Sequence, residues 1–245
     1  MLNPALIVLM FAAGLVNGWT ALGFAMIAAA GFALAVDPKT AVLLIAVTTP
    51  FISSMQLMNH KTSYPGWRRL APIALGGFIG VPLGAVLLGV LHADAIALLL
   101  GAMAVLFVVS TFANRGPRIP AAAEPIASPV AGVAAGVANG TVGVSGPVLG
   151  IYLIALGLSP AAFGFTISLL FFAMGLVRLV SLAALGQLTW AIVGTGVGLV
   201  IPALIGQQIG FRLHHWVKPT HARQGALVLI GIAGITLILR GLNLS

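Results

Sequence analysis

The sequence predicts an all-α polytopic membrane protein built from two inverted repeats, each with a broken, re-entrant helix hairpin followed by three transmembrane helices. Hydrophobic residues make up 60% of the chain and charged residues 6%, whereas about 25% of residues are charged in soluble domains. Eight apolar runs approach or exceed the roughly 20 residues that span a bilayer. The segment Gly14-Leu-Val-Asn-Gly18 also recurs, with two changes, as Gly136-Val-Ala-Asn-Gly140.

The apolar runs form two sets of four on either side of a polar, proline-rich segment. They cover residues 5–35, 39–58, 70–91 and 95–113, then 127–157, 160–185, 189–211 and 222–240. The Asn-Gly segments lie 122 residues apart, and Pro38 and Pro160 keep the same spacing, which indicates an internal duplication. We therefore predict a first repeat at 1–114, a linker at 115–126 and a second repeat at 127–245.

The first run of each set is too long for one crossing and contains the Asn-Gly pair near its middle. If this run spans the membrane, each half crosses four times and the halves are parallel. If it turns back at the pair, each half crosses three times and the halves are inverted. The other three runs of each set, 19 to 26 residues long, each supply one crossing.

Loop charges favour the inverted arrangement, because Lys and Arg concentrate in cytoplasmic loops. Inversion gives a split of eight against two, and parallel repeats a split of six against four. The eight are Lys61, Arg68, Arg69, Arg115, Arg118, Arg212, Lys218 and Arg223, and the two are Lys39 and Arg240. The loops at 59–69, 114–126 and 212–223 are then cytoplasmic and both termini periplasmic. The same bias explains the net charge of +8 without a nucleic-acid partner.

The two breaks predict a polar cavity at the middle of the membrane. Non-helical backbone is tolerated there only inside protein or beside water, and transporters with inverted repeats bind substrate between broken helices. A half-helix begins after each break, the first near Thr20 and the second near Ser145-Gly146-Pro147. Ser145 or Thr141 can cap the second half-helix. The N-terminus of each half-helix carries partial positive charge and free N–H groups, so we expect an anionic ligand. The candidate binding residues are Asn17, Gly18, Trp19, Thr20, Gly23, Asn139, Gly140, Thr141, Gly143, Ser145 and Gly146.

Two further candidates occupy equivalent positions of the repeats. Arg178 is the one charge placed in the interior of an apolar run, away from its ends, and an intramembrane charge marks a functional candidate. Its guanidinium suits an oxyanion, although snorkelling to the outer interface is the alternative. Gln56 stands 122 residues earlier, after a polar patch at 48–54. The Ser and Thr residues of that patch either line the path or bond to their own helix backbone.

The sequence contains few acidic residues and no cysteine. Asp37, Asp94 and Glu124 are the three carboxylates and all fall outside the apolar runs. A buried carboxylate proton relay, paired carboxylates and thiolate sites are therefore excluded, so we expect neither an enzyme nor a metal or other cofactor. Sodium coupling through backbone carbonyls stays open.

Two signatures in the chain resemble those of a known family. The segment from Gly14 to Phe24 is similar to the first-repeat signature of the sulfite exporter TauE/SafE family. The segment from Gly136 to Gly150, followed by Ile-Tyr-Leu, resembles the second-repeat signature. The first departs from the family pattern at Ala21, where a second glycine is common, and bulky Trp19 stands nearby.

This resemblance implies a multi-pass carrier of sulfur-containing anions in the bacterial inner membrane, often an exporter. Sulfite, sulfoacetate and other organosulfonates are the implied substrates. An anion channel, and a carrier of another small carboxylate or oxyanion, remain alternatives. The coupling ion is open, and so is the choice between monomer and homodimer.

Overall fold

A computed structural model describes residues 4–20, 23–59, 66–112, 118–120, 122–213 and 219–242. Every regular element in these residues is an α-helix. The helices are α1 Pro4–Thr20, α2 Phe24–Ala35, α3 Pro38–Asn59, α4 Trp67–Val90, α5 Ala93–Phe112, α6 Glu124–Val142, α7 Gly146–Ala155, α8 Pro160–Ala184, α9 Trp190–Leu213 and α10 Pro219–Gly241. Five of them, α3, α4, α5, α8 and α9, contain apolar stretches long enough to cross a membrane, which confirms a polytopic helical membrane protein.

Both long apolar runs fold back on themselves. A Cβ atom placed on Gly31 of α2 would lie 3.1 Å from Leu9 Cδ2 of α1, although 22 residues of continuous helix would separate the two by about 33 Å. In the second run, the hydroxyl groups of Ser128 in α6 and Tyr152 in α7 are hydrogen-bonded. Each run is therefore a hairpin of two short helices, and the turns lie between Thr20 and Phe24 and between Val142 and Gly146.

The directions of equivalent helices bear on how the repeats are related. In α5 and α10, Gly101 packs against Gly234, and Gly241 packs against Asp94, so the helices are antiparallel. In α3 and α8, Arg178 bonds to Val42 while Gly175 lies beside Pro50, so this pair is antiparallel too. Duplicated halves with parallel orientation would place equivalent helices parallel. These directions support inversion, which remains a prediction together with the assignment of the cytoplasmic face.

Two glycine-lined seams join the repeats, each between helices of different repeats. Helix α4 runs parallel to α6, and α1 runs parallel to α9. The seams bring backbones close together because glycine has no Cβ atom: the added Cβ of Gly80 would lie 2.3 Å from the carbonyl oxygen of Val133, and that of Gly14 would lie 2.1 Å from the carbonyl oxygen of Ala203. The first seam consists of Gly76, Gly80 and Gly84 facing Gly132, Gly136 and Gly140. An ion pair, Arg69 Nη2 to Glu124 Oε2 at 2.9 Å, joins the helix starts of this seam.

Inversion can be tested with single cysteines, because the chain has none of its own. Asp37 and Ser159 occupy equivalent exposed positions before α3 and α8. We expect Asp37→Cys to react with a membrane-impermeant maleimide on intact cells, and Ser159→Cys to react only after permeabilisation. Inverted repeats place these residues on opposite faces, whereas parallel repeats place them on the same face. Equal labelling of both cysteines from outside would contradict inversion.

Candidate functional site

One cavity is lined by both helix breaks. The centres of water-sized spheres can occupy about 30 Å³ of it, which suffices for a few waters or a small ion. The hairpins contribute Asn17, Gly23, Phe24, Ala25 and Met26 from the first, and Asn139, Gly143, Val144, Ser145, Gly146 and Pro147 from the second. Other helices contribute Thr49, Ile52, Ser53 and Gln56 from α3, Phe107 from α5 and Phe171 from α8. The predicted shared cavity is thus present, and it is built mainly from the hairpins and α3.

The two asparagines of the repeated segment reach this cavity and are almost fully buried, with exposures of 3% for Asn17 and 2% for Asn139. Asn17 Nδ2 donates to Gln56 Oε1 at 3.4 Å. Asn139 Nδ2 donates to Ser145 Oγ at 3.2 Å. Asn139 Oδ1 has no hydrogen-bond partner within the described parts of the chain. A buried acceptor without a partner is costly, so this oxygen favours a ligand or water that can donate to it.

The turns of the two hairpins depend on glycines with left-handed backbone. Gly23, before α2, has φ 111°, and Gly143, after α6, has φ 78°, values that other residues rarely adopt. The second half-helix begins at Gly146 with Pro147 in its first turn, as predicted. The first begins at Phe24, later than the expected start near Thr20, because α1 continues through Thr20.

The predicted caps of the second half-helix need correction. Ser145 does occupy the N-cap position, but its side chain makes no capping hydrogen bond. Its hydroxyl instead accepts from Asn139. Thr141 lies inside α6 and bonds to the carbonyl oxygens of Gly84 and Val137. The buried asparagine and the α4 backbone compete successfully for these hydroxyls.

The hairpin geometry also changes the electrostatic argument from helix ends. The cavity contacts the first turns of α2 and α7, where partial charge is positive. It also contacts Asn17 and Asn139 in the last turns of α1 and α6, where partial charge is negative. These contributions largely offset each other, so helix dipoles alone do not establish the sign of the ligand.

A full positive charge lies beside the second break. Arg178 is 1% exposed, so it does not snorkel to the interface. Its guanidinium lies against Gly143, where an added Cβ would be 2.5 Å from Nη1. Nη2 donates to the carbonyl oxygen of Val42 at 2.9 Å. Nε and Nη1 have no hydrogen-bond partner among the described residues.

No acidic residue in the described structure forms an ion pair with this cation. Asp37, Asp94 and Glu124 lie at or just before helix starts, about 18–23 Å along their helices from the nearest cavity-lining residues, at 1.5 Å per residue. Asp37 precedes Val42, whose carbonyl oxygen accepts from Arg178, by five residues. Glu124 is also paired with Arg69. A buried cation that lacks a carboxylate partner is expensive, and an anionic ligand would compensate that cost.

Some predicted binding residues face elsewhere. Gly18 packs against Gln207 of α9, and Gly140 packs against Val81 of α4, as parts of the two seams. At 100° per residue, each asparagine lies 100° around the helix from the glycine that follows it and 60° from the glycine three residues before it. This explains how one short motif serves both seam and cavity. The side chains of Trp19 and Thr20 lie outside the described residues, so their predicted role stays a prediction.

Other cavity residues were not among the predicted set. Thr49 and Ser53 belong to the polar patch of α3. Thr49 both lines the cavity and bonds to its own helix backbone, at the carbonyl oxygen of Ile45, so the two alternatives for this patch are not exclusive. Phe24, Phe107 and Phe171 form apolar walls. In an apolar helix a phenylalanine beside a cavity and one beside lipid look alike in sequence, so no signal identified them.

Comparisons with known proteins agree with the resemblance of the signatures. A family model described as sulfite exporter TauE/SafE matches residues 6–237 of the 245-residue chain. Comparison with curated proteins and with solved structures finds no significant match. The match covers both hairpins and nearly all the helices that follow them. The chain therefore belongs to the sulfite exporter TauE/SafE family of membrane transporters.

Proposed function

We propose that this protein exports a small sulfur-containing anion, sulfite or an organosulfonate, across the bacterial inner membrane. The anion binds in the cavity between the two helix breaks, and the protein performs no chemistry on it. The proposal rests on the position of Arg178. Its buried guanidinium has no carboxylate partner among the described residues and touches Gly143, which lines the cavity. A guanidinium with free N–H groups matches the oxygen geometry of sulfite and sulfonate groups.

The polar side chains around the cavity suit such a ligand. The amide of Asn17 and the hydroxyl of Ser53 supply donors, and Asn139 supplies both an acceptor and a donor. The small volume favours a compact anion such as sulfite in this conformation. Larger organosulfonates require the walls at Phe107 and Phe171 to move apart.

Alternating access would come from rocking around the broken helices. The glycine seams bind α1 to α9 and α4 to α6, so separating one repeat from the other would break both seams. We therefore infer that the moving bodies combine helices of both repeats, with each hairpin moving together with its seam partner.

Flux measurements in proteoliposomes test this function. We expect internal unlabelled sulfite to accelerate uptake of labelled sulfite, because a carrier exchanges its ligand across the membrane. Asn139→Leu and Asn17→Leu should each lower the rate about 10-fold or more, since a hydrogen bond to a charged group contributes about 1.5–3 kcal/mol. Asn59→Leu is the matched control, because Asn59 is exposed and bonds to its own helix at Met55.

Three outcomes separate the alternatives. Counterflow that Asn59→Leu preserves and the cavity variants lose supports the carrier. Linear flux without acceleration by internal sulfite would instead identify an anion channel. Absence of flux for sulfite, sulfoacetate and methanesulfonate would contradict transport of sulfur anions altogether.

A further inference from the structure

The charges around the cavity suggest which ionic form of the substrate is carried, and this inference rests on the proposed function. Arg178 and Gln56 are equivalent in the two repeats, 122 residues apart, and both are 1% exposed. The duplication therefore supplied two positions for a cation, and the chain uses one of them. Gln56 lines the cavity directly, whereas Arg178 lies behind Gly143, which lines it.

The neutral position is satisfied within the protein. Gln56 lines the cavity and accepts a hydrogen bond from Asn17 at 3.4 Å. The charged position is not satisfied, because Arg178 uses Nη2 on Val42 and has no described partner for Nε or Nη1. None of the described residues that line the cavity is titratable. The site therefore presents one positive formal charge in a buried setting.

One buried cation neutralises one negative charge. A dianion in the same cavity would leave a charge without a partner, and burial of an uncompensated charge is strongly unfavourable. The offsetting helix ends of each hairpin do not supply the missing positive charge. The charge count therefore favours a monovalent anion.

A second, independent observation concerns hydrogen bonding. Asn139 Oδ1 is a buried acceptor without a described partner, and Asn139 lines the cavity. Hydrogensulfite carries an acidic hydrogen that can be donated to this oxygen. The sulfite dianion has acceptors only, so its oxygens would repel Asn139 Oδ1 and leave it unpaired.

We propose that the species bound and carried is the monovalent, protonated anion, hydrogensulfite, and that the residues at positions 56 and 178 set the charge that the site accepts. Arg178 balances the single negative charge, and Asn139 accepts the hydrogen. Simple monovalent sulfonates are accepted through the charge alone, and dianions such as sulfate and sulfite are rejected.

The test compares initial rates of sulfite, methanesulfonate and sulfate flux in proteoliposomes below and above the second pKa of sulfurous acid. Methanesulfonate keeps one charge throughout, so its rate corrects for any titration of the protein. The charged groups on the described helices packed around Arg178 lie at or just before helix starts. They are Asp37 and Lys39 at α3, Arg68 and Arg69 at α4, and Glu124 at α6. We expect the corrected sulfite rate to fall roughly 10-fold per pH unit above that pKa, with little sulfate flux at any pH.

Variants at the equivalent positions complete the test. Gln56→Arg adds a second cation, so it should raise sulfate flux at least about 10-fold and flatten the pH dependence of sulfite flux. Arg178→Lys keeps one charge but loses the fork of donors, so it should preserve the monovalent preference at a lower rate. Asn139→Leu should reduce sulfite flux more than methanesulfonate flux. Size-exclusion profiles identify any variant that fails to fold. If Gln56→Arg does not fold, the preference of Arg178→Lys for monovalent anions tests whether the charge sets selectivity.

The outcomes distinguish this inference from the proposed function. A corrected sulfite rate that rises with the dianion fraction, or sulfate flux equal to methanesulfonate flux in the unaltered protein, would overturn the monovalent assignment while leaving transport established. If Gln56→Arg folds and leaves sulfate flux unchanged, position 56 does not set the accepted charge. If the unaltered protein moves none of these three anions and no sulfoacetate, the proposed function fails as well.

Discussion

Arg178→Gln is expected to lower anion transport at least about 10-fold while leaving the unliganded protein at least as stable as the unaltered one. Removing the guanidinium removes charge-assisted hydrogen bonds to the anion, each of which contributes about 1.5–3 kcal/mol. Loss of one such bond corresponds to a fall in transport of about 10- to 200-fold, and loss of two to a fall of at least about 100-fold. In the unliganded state, the same change removes a buried cation that has no carboxylate partner in the described structure. Replacing such a charge by a neutral group relieves a desolvation cost.

This combination of effects separates a binding role from a structural one. The melting temperature of the purified variant, measured without anion, should equal or exceed that of the unaltered protein. Sulfite should raise the melting temperature of the unaltered protein, because a ligand that binds the folded state stabilises it, and should not raise that of the variant. Arg240→Gln is the matched control, since Arg240 also donates to a backbone carbonyl, that of Ala33 at 3.0 Å, and Ala33, unlike the Gly143 that Arg178 touches, does not line the cavity. A large loss of stability in Arg178→Gln, with transport per folded molecule retained, would show that Arg178 is structural.

The sequence predicts the hairpins because their signal is local. A run of about 31 apolar residues exceeds one crossing, and the Asn-Gly pair with nearby glycines indicates where the helix stops. The repeated spacing of 122 residues then places both breaks in corresponding positions, and the structure brings Asn17 and Asn139 to one cavity. Gly146 and Pro147 start the second half-helix as expected, since proline suits the first helical turn.

Residue orientation around the helix axis was harder to predict. Gly18 and Gly140 flank the cavity asparagines in sequence, yet both face a neighbouring helix. Within an apolar run, the helix faces that contact lipid, protein or a cavity are all hydrophobic. The helical period of hydrophobic residues therefore does not show which face a residue occupies. The partners of these glycines are also distant in sequence, on α9 and α4, and no local rule identifies them.

The family supports the predicted anionic ligand, but the argument from helix N-termini that led to this prediction is incomplete. Two helix N-termini do point at the cavity, but a hairpin necessarily brings two C-termini to the same place. Among the described residues near the cavity, Arg178 supplies an uncompensated charge, and its position against Gly143 depends on the packing of α8 beside α3 and the second hairpin. Sequence alone left snorkelling of this side chain as an equal alternative, because depth along α8 does not reveal which way the side chain turns.

Gly80→Ala is expected to destabilise the protein strongly, because the added methyl group separates two helix backbones. The added Cβ would lie 2.3 Å from the carbonyl oxygen of Val133 and 3.0 Å from Cα of Gly136. A backbone carbonyl cannot rotate away as a side chain does, so α4 and α6 must move apart along their whole seam. Overpacking of this kind costs about 1–3 kcal/mol, which lowers the melting temperature by roughly 2–12 °C for a chain of this size.

Gly150→Ala is the matched control for this substitution. Gly150 lies within α7, and a Cβ there would meet no atom within 4 Å, so the change should be neutral or stabilise the helix by about 0.5–1 kcal/mol. Melting temperature and the yield of monodisperse protein in detergent measure both variants. Because α6 carries Asn139 at its far end, a displaced seam should also lower sulfite counterflow in Gly80→Ala molecules that do fold. Equal stability of the two variants would mean that the seam tolerates separation, and the inference that each hairpin moves with its seam partner would then lose its physical basis.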